Sequence, residues 1–166
     1  KGAFRFMSGK PTKANPGQSG IRTPVATIGI RGTIVEGVVG EDAIAIAARE
    51  SGVPTVAGAD PATASLILLR GPGAGAQGEA PGGIDVSAGD RTVAVDGEGQ
   101  AVFIGAAGQA PVGPFLLSDA GLARLAALLS DPRRGRSTAA LDPLARNPVN
   151  DWYFLAGEES FQRQDP

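Results

Sequence analysis

The sequence predicts a mainly β fold: a solenoid-like (β-helix) stack or a meander of short strands, with one C-terminal α-helix and a poorly ordered tail. Three observations carry that expectation. The stretch GAFRFM near the start alternates, with Ala3, Arg5 and Met7 against Phe4 and Phe6, and period two is the signature of a strand. The segments IDVSAGD, RTVAVDGEG and QAVFIGAAG place short apolar runs between turn residues at nearly even spacing, as hairpins and solenoid rungs do. Only LSDAGLARLAALLSDP shows convincing helical spacing. Leu122, Leu125, Leu128 and Leu129 share a face, Ser118 or Asp119 can cap the start, and Pro132 follows the end.

The elements follow in order. After the first strand, PTKANPGQSG is dense in turn formers and reads as a loop. IRTPVATIGIRGTIV, residues 21–35, reads as one strand that turns a corner. Ala26, Ile28, Ile30, Gly32 and Ile34 form a dry face, and Val25, Thr27, Gly29, Arg31, Thr33 and Val35 a mixed one. Gly29 and Gly32 allow a kink or bulge, and Pro24 belongs at a strand start or an edge. EDAIAIAARESG, 41–52, is read as a helix with Ile44, Ala47, Ala48 and Ser51 on one face. PTVAGADPATA is loop, and SLILLR, 65–70, has strand length. GPGAGAQGEAPGG, 71–83, has nothing with which to build a core. The expected organisation is a β domain over 1–110, a flanking helix over 111–132 and a polar tail over 133–166, whose apolar anchor is DWYFL.

Composition bounds the function. The chain has 166 residues, enough for one domain with a genuine core. Gly 25 and Pro 13 together are 38 of these, and aromatic residues are 5%, so the core must be aliphatic. Formal net charge is −2, which gives no reason to expect nucleic acid. Arg133, Arg134 and Arg136 form a short, proline-flanked basic cluster read as solvated surface. There is no cysteine and no histidine, which removes disulfides, thiolate chemistry, zinc–sulfur sites and the commonest general base. No apolar run has the length to cross a bilayer. The opening KGAFRF lacks a signal-like region and reads as a fragment or processed product.

The motifs are weak against their ordinary readings. SGKPT, 8–12, has Pro11 where a phosphate-binding loop needs Ser or Thr. GAGAQG, 73–78, fits a dinucleotide fingerprint in letters, yet EAPGG follows where a helix must begin. Asp85, Asp90, Asp96 and Glu98 lie in or beside turns, where Asp is ordinary, with loose calcium binding as the sharper alternative. No catalytic constellation emerges, and the chain is expected not to be an enzyme and to hold no cofactor or metal. Arg22 and Arg31 flank TPVATIGI and are candidate partner contacts, as are Trp152 and Tyr153 in the tail.

GAFRFMSGK followed by RTPVATIGIRGT resembles the C-terminal half of a FecR domain. Thr23, Pro24, Ala26, Ile28, Gly29, Arg31, Gly32 and Thr33 match the family's strand pattern. The resemblance covers about residues 1–36 well and 65–105 loosely. It implies a β-rich, solenoid-like domain in the periplasm, cell envelope or secreted fraction. The expected function is a non-enzymatic interaction or scaffold module, meeting a protein partner by strand addition or surface contact. The alternative is the periplasmic sensory part of a sigma-factor regulator linked to transporter signalling.

Overall fold

The computed structural model describes residues 1–7, 20–71, 82–131, 152–154 and 161–163. The strands are β1 (Gly2–Met7), β2 (Gly20–Arg22), β3 (Thr27–Arg31), β4 (Ile34–Val39), β5 (Ser65–Gly71), β6 (Gly83–Ala88), β7 (Arg91–Val95), β8 (Gln100–Ile104) and β9 (Val112–Leu116). Helix α1 is Glu41–Ala47 and α2 is Asp119–Leu129. A separate hairpin pairs β10 (Trp152–Phe154) with β11 (Phe161–Arg163).

The mainly β class holds, but the strands do not stack as a solenoid. They form a five-stranded sheet in the order β1-β4-β5-β8-β9 and a four-stranded sheet in the order β2-β3-β6-β7. Every described strand pair is antiparallel, whereas solenoid rungs stack in parallel. After β1 the chain lays down strands two at a time, alternating between the sheets. Period two and frequent turns serve a rung and a hairpin equally well, so the local pattern did not separate them.

Two cores result. Between the sheets lie Phe4, Phe6, Ile28, Ile30, Ile84 and Val102. On the other face of the five-stranded sheet, Val38, Leu66, Leu68 and Phe103 pack under Leu125 and Leu128 of α2. The central strand β5 serves both. Ile67 and Leu69 face the sandwich, Leu66 and Leu68 face the helices, and all four are fully buried. This is why SLILLR is a continuous apolar run instead of an alternating one. Each such side chain contributes about 1.5–3 kcal/mol by leaving water.

Both helices form on the expected segments. Ser118 caps α2, its hydroxyl accepting from the Gly121 N–H at 3.1 Å, and Leu125, Leu128 and Leu129 are buried. Segment 111–132 is thus integral to the domain: β9 completes the sheet and α2 covers it. Helix α1 ends at Ala47, and its buried face is Ala43, Ile46 and Ala47. The expected face of Ile44, Ala47, Ala48 and Ser51 is therefore rotated, because residues 48–52 leave the helix in turns. A further turn, at residues 61–63, precedes β5. There Asp60 accepts from the Ala62 N–H at 2.8 Å and the Thr63 hydroxyl at 2.8 Å, and the Ala62 bond first of all holds its carboxyl below the usual range.

The 21–35 stretch divides between the sheets. Residues Thr23 to Ala26 make the turn of the β2–β3 hairpin. The Thr23 N–H donates to the Ala26 carbonyl at 2.9 Å, and the Thr23 hydroxyl oxygen accepts from the Ala26 N–H at 3.1 Å. Pro24 sits inside that turn, where no N–H is required. The corner falls at Gly32, with φ 61°, and carries the chain from β3 to β4. Thr33 fixes it, donating to the Gly71 carbonyl at 3.0 Å. Gly29 has no such need: an added Cβ would meet Asp85 Cβ at 3.9 Å, an ordinary contact. Gly32→Ala is therefore expected to lose about 1 kcal/mol of stability in urea titration, and Gly29→Ala to stay within about 0.5 kcal/mol of wild type. Equal losses at both positions would refute this placement of the corner.

Candidate functional site

The strands of the small sheet turn every second side chain outward. With Ile28, Ile30, Ile84, Val86 and Val95 buried, β3 presents Thr27, Gly29 and Arg31 to the outer face, β6 presents Gly83, Asp85 and Ser87, and β7 presents Thr92, Ala94 and, just past its end, Asp96. Register aligns these into rows across the sheet. One row runs Arg22, Thr27, Ser87, Thr92, and the next runs Gly20, Gly29, Asp85, Ala94. Ser87 and Thr92 hydroxyls are 2.8 Å apart and hydrogen-bonded. The face is low, polar and glycine-floored, with an arginine near each end.

The two arginines differ. Arg31 Nη2 lies 2.9 Å from Asp96 Oδ1 and 3.5 Å from Asp85 Oδ1. It reaches them across Gly83, where a Cβ would collide with the guanidinium. Its side chain is 42% exposed, so each pair contributes about 0–1 kcal/mol. Arg31 is thereby tied into the sheet, and Asp85 and Asp96 are brought together as its counter-ions. Asp90 lies in the β6–β7 turn at the other end of the hairpin. Arg22 is exposed on the edge strand β2 and makes no ion pair among the described residues. No group of three or more histidine, cysteine or acidic residues among the described residues could hold a metal ion.

Two further polar centres escaped the sequence reading. Glu36 is buried in β4, its side chain 4% exposed; Arg5 Nε donates to it at 2.8 Å, and Arg70 stands as a second, looser counter-ion with Nε 3.9 Å away. A charge inside the apolar run IVEGVV, with an arginine inside GAFRFM, was the available signal. Glu50 is also buried. Its carboxylate accepts from the Ser118 N–H at 2.9 Å and the Ser118 hydroxyl at 2.7 Å, locking the start of α2 to the segment after α1. Beside it, Arg49, Arg124 and Ala45 help to line a cleft of about 210 Å3 between the helices. Arg124 pairs with Asp42 at 3.1 Å. Glu50→Ala is expected to cost about 1–3 kcal/mol, since it leaves the Ser118 N–H without its partner. A melting curve coincident with wild type would contradict that role.

Trp152 and Tyr153 begin β10, and their side chains lie outside the described residues. So do the SGKPT stretch at 8–12, the GAGAQG stretch at 73–78, and Arg133, Arg134 and Arg136. Among the described residues no helix is long and apolar enough to cross a membrane. Comparison with protein-family models, curated proteins and solved structures finds no match.

Proposed function

We propose that this domain is a non-enzymatic interaction or scaffold module of the cell envelope, meeting a protein partner on the outer face of its four-stranded sheet and at the β2 edge. The observation that carries the reading is that face itself. Its side chains are short, polar or absent, and Arg22, Thr27, Thr92 and Ala94 are exposed. Strand β2, which among the described residues pairs with β3 alone, offers backbone groups for strand addition. The envelope setting rests on the FecR resemblance. Seven of its eight matched residues serve the hairpin turn, the sandwich core, the Arg31 ion pairs or the corner. Gly29 alone has no packing reason, and it lies on the outer face.

The test is site-specific photo-crosslinking in native envelopes, with the reactive group at Thr27, at Arg22 or, as a control, at exposed Asp119 on α2. A discrete adduct at Thr27 and Arg22 but not at Asp119 is expected. Adducts at none of the three, or equally at all, would remove this face from the proposal. A partner that proves to be a transporter, with altered induction of its gene, would select the sensory-regulator form of the same reading.

A further inference from the structure

We propose that the cleft between α1 and α2 binds a free α-amino acid with an apolar side chain up to the size of leucine, its ammonium on Glu50 and its carboxylate on Arg49. The cleft lies on the helical side of the five-stranded sheet, so the inference is independent of the partner face on the four-stranded sheet.

The cleft exists because facing positions on the two helices are small. Ala45 on α1 and Ala120 and Gly121 on α2 line it together with Ile46, and about 210 Å3 is left between them. That is the room of about seven waters at about 30 Å3 each. It is too little for a drug-sized ligand and enough for a single amino acid. The polar groups that line it are Arg49, Glu50, Ser118 and Arg124.

Charge decides what fits. Arg124 is already matched, with Nη2 3.1 Å from Asp42 Oδ1. Glu50 and Arg49 are not. Glu50 is 5% exposed, and its two carboxylate oxygens accept from the Ser118 N–H and the Ser118 hydroxyl. Those donors are neutral. They fill one acceptor site on each oxygen, whereas an ionised carboxylate has about four in all. The first turn of α2 adds at most about half a positive charge. No lysine or arginine among the described residues forms an ion pair with Glu50, although a carboxylate so deeply buried ordinarily has a cation beside it. Arg49, its neighbour in the chain, is exposed and likewise forms no ion pair among the described residues. One cleft thus holds a buried anion that lacks a cation and a guanidinium that lacks an anion. A ligand that completes both carries an ammonium and a carboxylate close together, as an α-amino acid does. The ammonium brings three donors to the open acceptor sites of Glu50, and a carboxylate takes two parallel bonds from a guanidinium. The ligand side chain is left to Ala45, Ile46 and Ala120, which favours an apolar one.

The test is calorimetric titration of the full chain with L-alanine, L-valine and L-leucine. The amide and the des-amino carboxylic acid of whichever binds most tightly follow. At least one of the three is expected to bind with a Kd of about 1 mM or tighter, and both of its analogues about tenfold or more weaker. Arg49→Ala should abolish binding with an unchanged circular dichroism melt, and Arg49→Lys should restore part of it. Glu50→Gln should weaken the amino acid and its amide but not the des-amino acid; should that variant fail to fold, the analogues and the Arg49 variants still decide. Absence of binding by all three amino acids at millimolar concentration would overturn the proposal. So would an analogue that binds as tightly as its parent, since the site would then take a lone cation or a lone anion. Binding that survives Arg49→Ala would equally remove the cleft as the site.

Discussion

Gly37→Ala is expected to destabilise the domain by about 3 kcal/mol, the upper end of the ordinary cost of overpacking a core. Gly37 lies in β4 opposite Phe4 of β1. A Cβ there would stand 2.5 Å from Phe4 Cζ, 2.7 Å from Cε1 and 3.0 Å from the Leu66 carbonyl oxygen. Phe4 is 2% exposed in the sandwich core, so its ring has no free space into which to retreat. The backbone cannot yield cheaply either, because β4 is paired on both sides. The missing side chain at 37 is thus the seat of the Phe4 ring. Phe4→Leu removes the two clashing ring atoms, at about 1–3 kcal/mol for the lost burial. In that background Gly37→Ala should cost far less, with a coupling of about 2 kcal/mol in the double-mutant cycle. The measurement is urea unfolding with an unchanged slope. Additive losses would show that Phe4 and Gly37 do not share this space.

Arg5→Ala is expected to cost about 2–3 kcal/mol, far more than an exposed ion pair warrants. The reason is asymmetry. Arg5 is half exposed and could return to water, but Glu36 is buried in the sheet and could not. Without Arg5, the carboxylate keeps, among the described residues, Arg70 at 3.9 Å. Leaving a buried charge without its partner costs about 3–5 kcal/mol, discounted here because solvent reaches the arginine side of the pair. Replacing both, as Arg5→Leu with Glu36→Leu, should recover most of the loss, since an apolar pair on a sheet face needs no counter-charge. A double variant no more stable than Arg5→Ala would mean that the pair stabilises through more than mutual neutralisation.

The resemblance and the fold can be weighed residue by residue. Thr23 and Pro24 make a turn, Ala26 and Ile28 fill the core, Arg31 crosses Gly83 to its two aspartates, and Gly32 and Thr33 turn the chain from one sheet to the other. A motif made of such residues speaks for a hairpin and a corner before it speaks for a ligand. This is why the stretch that looked most like a site in the sequence is mostly scaffold, with Arg22 and Gly29 left to the surface.

Local order was legible because it depends on neighbours in the chain. Alternation in GAFRFM and the four leucines of α2 act within a few residues and were read from the sequence alone; the cap was narrowed to Ser118 or Asp119 and the corner to Gly29 or Gly32, and the structure chose Ser118 and Gly32. The absence of cysteine and histidine likewise fixed what chemistry the chain lacks. Tertiary structure alone decided the rest. Which strand pairs with which is a matter of contacts between distant residues, such as β1 with β4 and β5 with β8, and the same short strands could have been stacked in parallel. Glu36 and Glu50 are buried by packing against partners far along the chain, Arg5 at 31 residues and Ser118 at 68. Burial makes a polar group choose a partner, and burial is a property of the assembled sheets and helices.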